Sequence, residues 1–107
     1  MPDAKPISLT AVRVLKAVAD GIPYGFDLMD ATGLPSGTVY PILSRLERQE
    51  LVRSRWEAPS IARRDKRPPR RYYEISALGI KALARSIEHY RTLGGVLVAP
   101  AGRLSGG

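Results

Sequence analysis

The sequence contains no cysteine and only one histidine, His89. Without cysteine, the chain forms no disulfide bond, no thiolate zinc site and no cysteine nucleophile. A lone histidine has no second imidazole in the chain with which to ligate a transition metal. These shortages exclude disulfide-stabilised scaffolds, zinc fingers and cysteine-dependent enzymes.

Long apolar runs are also missing. No stretch approaches the roughly 18 residues that cross a membrane, and the start of the chain, MPDAKPISLT, has an acidic residue where a signal peptide would be apolar. We therefore expect a cytoplasmic protein with no membrane partner. Its 107 residues fit one small domain and exclude a two-domain enzyme.

Acidic residues are outnumbered, with 10 Asp and Glu against 17 Lys and Arg, for a formal charge of +7. Residues 1–50 carry 5 basic and 6 acidic side chains, whereas residues 53–71 carry 8 basic and 2 acidic ones. One segment therefore makes the chain basic. Such a concentration of positive charge attracts polyanions, nucleic acids among them.

Helical spacing predicts three short helices in the first half of the chain. The first covers residues 8–20 with Ser8 as its N-cap, the second covers residues 24–32, and the third covers residues 36–50 with Ser36 as its N-cap. The third helix places its apolar side chains on one stripe. On the opposite face Gly37, Pro41 and Ser44 recur, and these residues are small and uncharged. We call this the thin face, because small side chains permit close approach to another molecule.

Alternation of side chains predicts two strands, residues 51–57 and 71–75. We expect Trp56 to pack between this hairpin and the last helix, because large aromatic side chains usually serve burial. Residues 58–70 combine three prolines with a cluster of cations. They are too long for a tight turn and too polar to bury, so we expect a protruding, mobile basic loop.

Ser76 is predicted to cap a last helix over residues 77–93. Its apolar residues have coiled-coil spacing, and such a stripe needs a partner, which predicts a homodimer. The predicted dimer interface consists of Ile80, Leu83, Ile87 and Tyr90. The glycine-rich residues 94–107 are expected to form a flexible tail.

Three helices followed by a hairpin is the element order of a winged helix-turn-helix, in which the third helix enters the major groove of DNA. The predicted fold class is therefore mainly α with a small β-hairpin (α+β). Residues 1–76 are assigned to the winged-helix DNA-binding domain and residues 77–93 to a C-terminal dimerisation helix.

The sequence resembles the PadR-type transcriptional regulators in three stretches, LTAVRVLKAVADGIPYGFDLM, TGLPSGTVYPILSRLERQELV and PPRRYYEISALG. The resemblance is to the small branch of the family, with one C-terminal helix. It implies a dimeric winged-helix protein, usually a repressor, in which Ser36, Thr38 and Tyr40 lie where DNA is met. It also places Arg63, Arg64 and Arg67 in the wing, which is the predicted hairpin of residues 51–75.

We therefore predict a homodimeric regulator that binds double-stranded DNA at a pseudo-palindromic operator and acts as a repressor. Arg45 adds the side chain of the third helix best suited to binding guanine with two hydrogen bonds. No catalysis, cofactor or bound metal is expected. The predicted DNA contacts are Ser36, Thr38, Tyr40, Ser44, Arg45, Arg63, Arg64 and Arg67.

Other interpretations stay open at this point. Asp27 and Asp30 share a helix face and suit a metal-dependent nucleic-acid enzyme, although solvated surface acids are the simpler explanation. The basic wing also suits a protein-interaction module with an acidic partner. A small-molecule or metal effector of unknown identity is a further possible partner, and His89 beside Glu88 is the residue that would sense a metal or pH.

Overall fold

The computed structural model describes the backbone of residues 7–97 and the side chains of residues 7–93. Helices and strands follow the predicted order, which confirms a mainly helical fold with one hairpin, a winged helix-turn-helix followed by a C-terminal helix. The elements are α1 Leu9–Ala19, α2 Gly25–Thr32, α3 Ser36–Arg48, β1 Val52–Trp56, α4 Pro59–Arg64, β2 Arg71–Ile75 and α5 Ala77–Leu97. No helix among these is long and apolar enough to cross a membrane.

α1 is the central helix of the core. Its N-cap is Ser8, whose Oγ accepts a hydrogen bond from the Ala11 N–H at 3.1 Å, as predicted. Residues on most of its surface are buried because α2, α3, α5 and β2 all contact it. The core around it is formed mainly by Val14, Leu15, Val18, Leu28, Val39, Leu43, Leu46, Val52, Tyr73 and Leu83.

The turn between α2 and α3 corrects one predicted cap. Gly33 ends α2 in the left-handed region at φ +74°, as expected for a closing glycine. Pro35, not Ser36, is the N-cap of α3, and its side chain makes no capping hydrogen bond there. α3 ends at Arg48, two residues earlier than predicted, and Glu50 takes a left-handed φ of +63° in the turn to β1.

β1 and β2 pair antiparallel, from Val52 opposite Ile75 to Trp56 opposite Arg71. The outer edge of β2 is covered by the chain just before α2, because the Tyr73 N–H donates to the Pro23 carbonyl at 2.8 Å. Tyr73 is buried. Val52 of β1 also belongs to the core, so the hairpin joins the helices through both strands.

Trp56 overturns the prediction for the outer end of the hairpin. Trp56 is 61% exposed, whereas Glu57, the next residue along the chain, is only 6% exposed. Alternation assigns a residue to one face of a strand but does not say whether another element covers that face. The hairpin extends beyond the core at this point, so the indole remains in solvent.

The expected loop of residues 58–70 contains the short helix α4. Pro59 occupies its first turn, where a missing N–H costs no helical hydrogen bond. Ala62 is buried against the wing, and Lys66 closes the helix in the left-handed region at φ +58°. The tip of the wing therefore contains regular secondary structure, which the sequence pattern did not predict.

α5 begins as predicted, with the Gly79 N–H donating to the Ser76 Oγ at 2.9 Å. It continues to Leu97, four residues beyond its predicted end. The remainder of the predicted tail, residues 98–107, lies outside the described residues, as do residues 1–6.

Candidate nucleic-acid interface

α3 presents the thin face that its sequence predicts. Val39, Leu43 and Leu46 turn toward the core, and the opposite face is open to solvent. Thr38 is half-buried at the edge of this face. The exposed face consists of Ser36, Gly37, Tyr40, Pro41, Ser44, Arg45 and Arg48.

Arg45 and Arg48 supply the positive charge of this face. Within residues 7–97, neither guanidinium has an acidic side chain within ion-pair distance. Both groups are therefore available to an incoming anion. Arg48 is absent from the predicted contacts, although its spacing from Arg45 and Pro41 places it on the same helix face.

Tyr40 leans from α3 onto the first residue of α2. A Cβ atom built on Gly25 would lie 2.5 Å from Cε1 and 2.6 Å from Cζ of Tyr40, and closer still to its Oη. The ring therefore occupies the space that a side chain at Gly25 would need. Tyr40 is nevertheless 42% exposed, and its hydroxyl makes no hydrogen bond to another residue of the described part of the chain.

A polar bridge connects α3 to the hairpin. The Ser54 Oγ donates to Glu47 Oε2 at 2.6 Å, and Arg71 donates to the same Ser54 Oγ at 2.8 Å and 3.0 Å. The Arg71 guanidinium also lies 5.5 Å from the centre of the Trp56 ring. These contacts hold the wing at one orientation to the exposed face of α3.

The wing tip is closed by Glu57 and Arg67. The Arg67 guanidinium donates to both carboxylate oxygens, at 2.5 Å and 2.8 Å, and the Arg70 N–H donates to Glu57 at 3.3 Å. The hydrogen bonds from Arg67 are the main reason that the pKa of Glu57 falls to about 2, against the opposing effect of burial. The same pairing raises the pKa of Arg67. Arg67 is thus a structural cation of the wing.

Comparisons with known proteins agree with this architecture. A family model described as the transcriptional regulator PadR-like family matches residues 14–85. The chain belongs to this family. No curated protein matches the sequence.

Several solved structures share the fold of this PadR-like chain. smu.1704 from Streptococcus mutans is 20% identical, with a TM-score of 0.72 and 92% of each chain covered. A PadR family transcriptional regulator from Eggerthella lenta is 28% identical, with a TM-score of 0.59, covering 88% of this chain and 79% of that one. The M. tuberculosis regulator MOSR, solved in complex with DNA, is 19% identical, with a TM-score of 0.68, covering 97% of this chain and 73% of that one.

The cations of the PadR-like wing divide into two groups. Arg67 is engaged by Glu57, whereas Arg63 and Lys66 have no ion-pair partner within the described residues. Arg64 lies 3.8 Å from Asp65 and is largely exposed. Lys66 is not among the predicted contacts, and it lies in the left-handed turn that ends α4.

The predicted dimer stripe on α5 is only partly available to a second subunit. Leu83 is 8% exposed and belongs to the core of its own chain. The Tyr90 hydroxyl donates to the Ile7 carbonyl at 2.8 Å, and Ile87 is half-buried against the core. Ile80 is 56% exposed. Of the four predicted residues, Ile80 alone presents most of its side chain to solvent.

The residues considered for metal binding do not come together. Within residues 7–97, no group of three or more His, Asp or Glu side chains could hold a metal ion. Asp27 and Asp30 lie exposed on α2. His89 lies on the outward face of α5, where its ring meets the Tyr90 ring edge-on, with the two ring centres 4.9 Å apart.

Proposed function

We propose that this PadR-like chain is a sequence-specific DNA-binding regulator that acts by binding rather than by catalysis. The observation that carries the proposal is the continuity of two surfaces, the thin face of α3 and the cationic wing. The bridge of Glu47, Ser54 and Arg71 ties these surfaces together. A duplex that receives α3 in its major groove therefore meets the wing on its flanking backbone.

The two surfaces have different tasks in this proposal. Small residues let α3 approach the base edges, where Arg45 donates to guanine and Ser44 lies beside it. Tyr40 and Thr38 offer hydroxyl groups to phosphates at the rim of the groove, with Ser36 at the helix start. Arg63, Arg64 and Lys66 add sequence-independent attraction from the wing.

We further propose that the chain works as a homodimer on a pseudo-palindromic operator, with α5 as the dimerisation element. The support is the exposed flank of α5, where Ile80 remains uncovered by its own chain. A dimer that covers a promoter blocks other proteins from the same DNA, so repression in the cytoplasm is the proposed mode of action.

Selection of duplexes from a random pool by the purified protein tests this function. We expect an enriched inverted repeat whose half-sites lie about one helical turn, or a multiple of it, apart. Absence of any enriched sequence, with saturable binding to an acidic protein, would favour the interaction module instead. Magnesium-dependent cleavage of the duplex would favour the enzyme.

Arg45→Ala should then weaken binding to the enriched duplex by about 1–3 kcal/mol and change binding to random DNA little. Arg63→Ala is the matched control, because a backbone contact should weaken binding to both duplexes alike. Equal losses on both duplexes for Arg45→Ala would make Arg45 a phosphate contact.

A further inference from the structure

We propose that Gly25 is a positioning residue, which directs the Tyr40 hydroxyl toward DNA by leaving room for its ring. The proposal rests on the proposed DNA-binding function. Gly25 itself does not touch the nucleic acid. It acts through the side chain that it allows to lie against the start of α2.

The backbone gives no other reason for a glycine at this position. Gly25 is the first residue of α2 and, unlike Gly21 and Gly33, it does not adopt a positive φ. Alanine is a better helix former than glycine. What alanine would meet is the end of the Tyr40 side chain, since two ring atoms and the hydroxyl oxygen lie within 2.6 Å of its Cβ.

The ring is the part of this contact that can move. Its Oη, Cζ and Cε1 atoms are the far end of a rotatable side chain and are partly exposed, so they can swing outward without disturbing the core. Gly25→Ala should therefore leave the fold intact and redirect the Tyr40 hydroxyl. A hydrogen bond to a phosphate depends on donor direction and distance, so this displacement removes it.

A double-mutant cycle on an enriched duplex tests the proposal. Gly25→Ala and Tyr40→Ala should each lower DNA affinity about 10-fold, as expected for the loss of one hydrogen bond to a charged group. In the Tyr40→Ala background, Gly25→Ala should change affinity less than about 2-fold, because no ring remains to be displaced. The helix content and urea midpoint of each variant show whether it folds.

The cycle separates a positioning role from a structural one. Equal loss of affinity from Gly25→Ala in both backgrounds would overturn the proposal, since the effect would then not pass through Tyr40. Unchanged affinity for Tyr40→Ala would overturn it as well, while the proposed function would stand on the selected duplex. Failure to enrich any duplex would instead overturn the proposed function, and with it the task assigned to Gly25.

Discussion

Gly79 lies in the first turn of α5, against the chain where β1 begins. A Cβ built on it would lie 2.7 Å from Cγ1 of Ile75 and still closer to the Leu51 carbonyl oxygen. Unlike the Tyr40 ring beside Gly25, this carbonyl belongs to the backbone. It also accepts a hydrogen bond from the Ser76 N–H at 3.0 Å, while the Ser76 Oγ donates to the neighbouring Glu50 carbonyl at 2.7 Å, so Ser76 holds this stretch of backbone in place.

Gly79→Ala should therefore destabilise the protein by about 1–3 kcal/mol, because the backbone of two elements must separate to admit one methyl group. Gly37→Ala is the matched control, since nothing lies within 4 Å of its Cβ. That variant should gain up to about 1 kcal/mol from the better helix propensity of alanine. Urea denaturation measures both, and an unchanged midpoint for Gly79→Ala would contradict the close packing of α5 on Leu51.

Single residues also show what a sequence pattern can predict. Ser76 and Ser8 cap their helices as expected, because a cap depends on residues within one turn of it. Trp56 is exposed where burial was predicted, and Leu83 is buried in the core of its own chain where a dimer contact was predicted, because burial depends on what another part of the chain places nearby. Periodicity gives the apolar side of a helix, but it does not distinguish the chain's own core from a partner's surface.

Among the elements, α4 was not predicted from the local sequence pattern. A helix of six residues is too short to be stable in isolation, so tertiary contacts must hold it. Those contacts come from buried Ala62 and from the pair formed by Glu57 and Arg67. Pro59 at the helix start was the available local signal, but the prolines at 68 and 69 obscured it.

The stability of the wing tip should depend on the charge of Glu57. Glu57→Gln should lower the urea midpoint at pH 7, because the ionised pair with Arg67 is lost. The folded-state pKa of about 2 is below the ordinary value near 4.5, so this stabilisation is full above pH 5 and is lost as the pH falls toward 2. The difference between variant and native midpoints should shrink over that range.

Glu74→Gln is the control for this experiment. Its partner Arg55 lies at 2.7 Å, but both side chains are more than half exposed, so the pair should contribute little. Equal effects of the two substitutions at pH 7 would show that Glu57 does not organise the wing.

The salt dependence of DNA affinity should distinguish the contribution of the wing from that of α3. Each phosphate contact contributes about −0.9 to the slope of log affinity against log salt. Replacing Arg63, Arg64 and Lys66 with alanine removes six cations from a dimer, and the slope should flatten by about 2 to 5. Arg67 is left in place because it holds Glu57.

Operator preference should survive the triple substitution, since backbone contacts carry little direct sequence information. Lys16→Ala is the control, because Lys16 is an exposed residue of α1 that pairs with Asp20 at 2.8 Å, and it should leave the slope unchanged. An unchanged slope in the triple variant would make the cationic wing a solvated surface.

At the scale of the whole molecule, α5 belongs to the winged-helix body as much as to any dimer. Ser86 is buried and accepts a hydrogen bond from the Ile7 N–H at 3.2 Å, while Tyr90 donates to the Ile7 carbonyl. The backbone N–H and the carbonyl of Ile7 are therefore both hydrogen-bonded to side chains of α5. Periodicity alone assigned Tyr90 to a partner, because such long-range hydrogen bonds leave no trace in local spacing.

The dimer interface should be disrupted at Ile80 rather than at Leu83. Ile80→Glu places a charge on the exposed flank of α5 and should give a folded monomer with weak operator binding, since each half-site loses its tethered neighbour. Leu83→Glu should instead unfold the chain, because it buries a charge in the core. Sedimentation with helix content distinguishes these results, and a dimeric Ile80→Glu protein would place the interface elsewhere.

The central claim is that α3 and the wing act together, in two copies, on one DNA site. A titration that records both stoichiometry and affinity, on the enriched duplex and on a scrambled duplex of equal length, tests it most directly. We predict two chains per enriched duplex and a preference of about 1,000-fold or more over the scrambled one at physiological salt. Equal affinities, with the number of bound chains rising in proportion to duplex length, would contradict it.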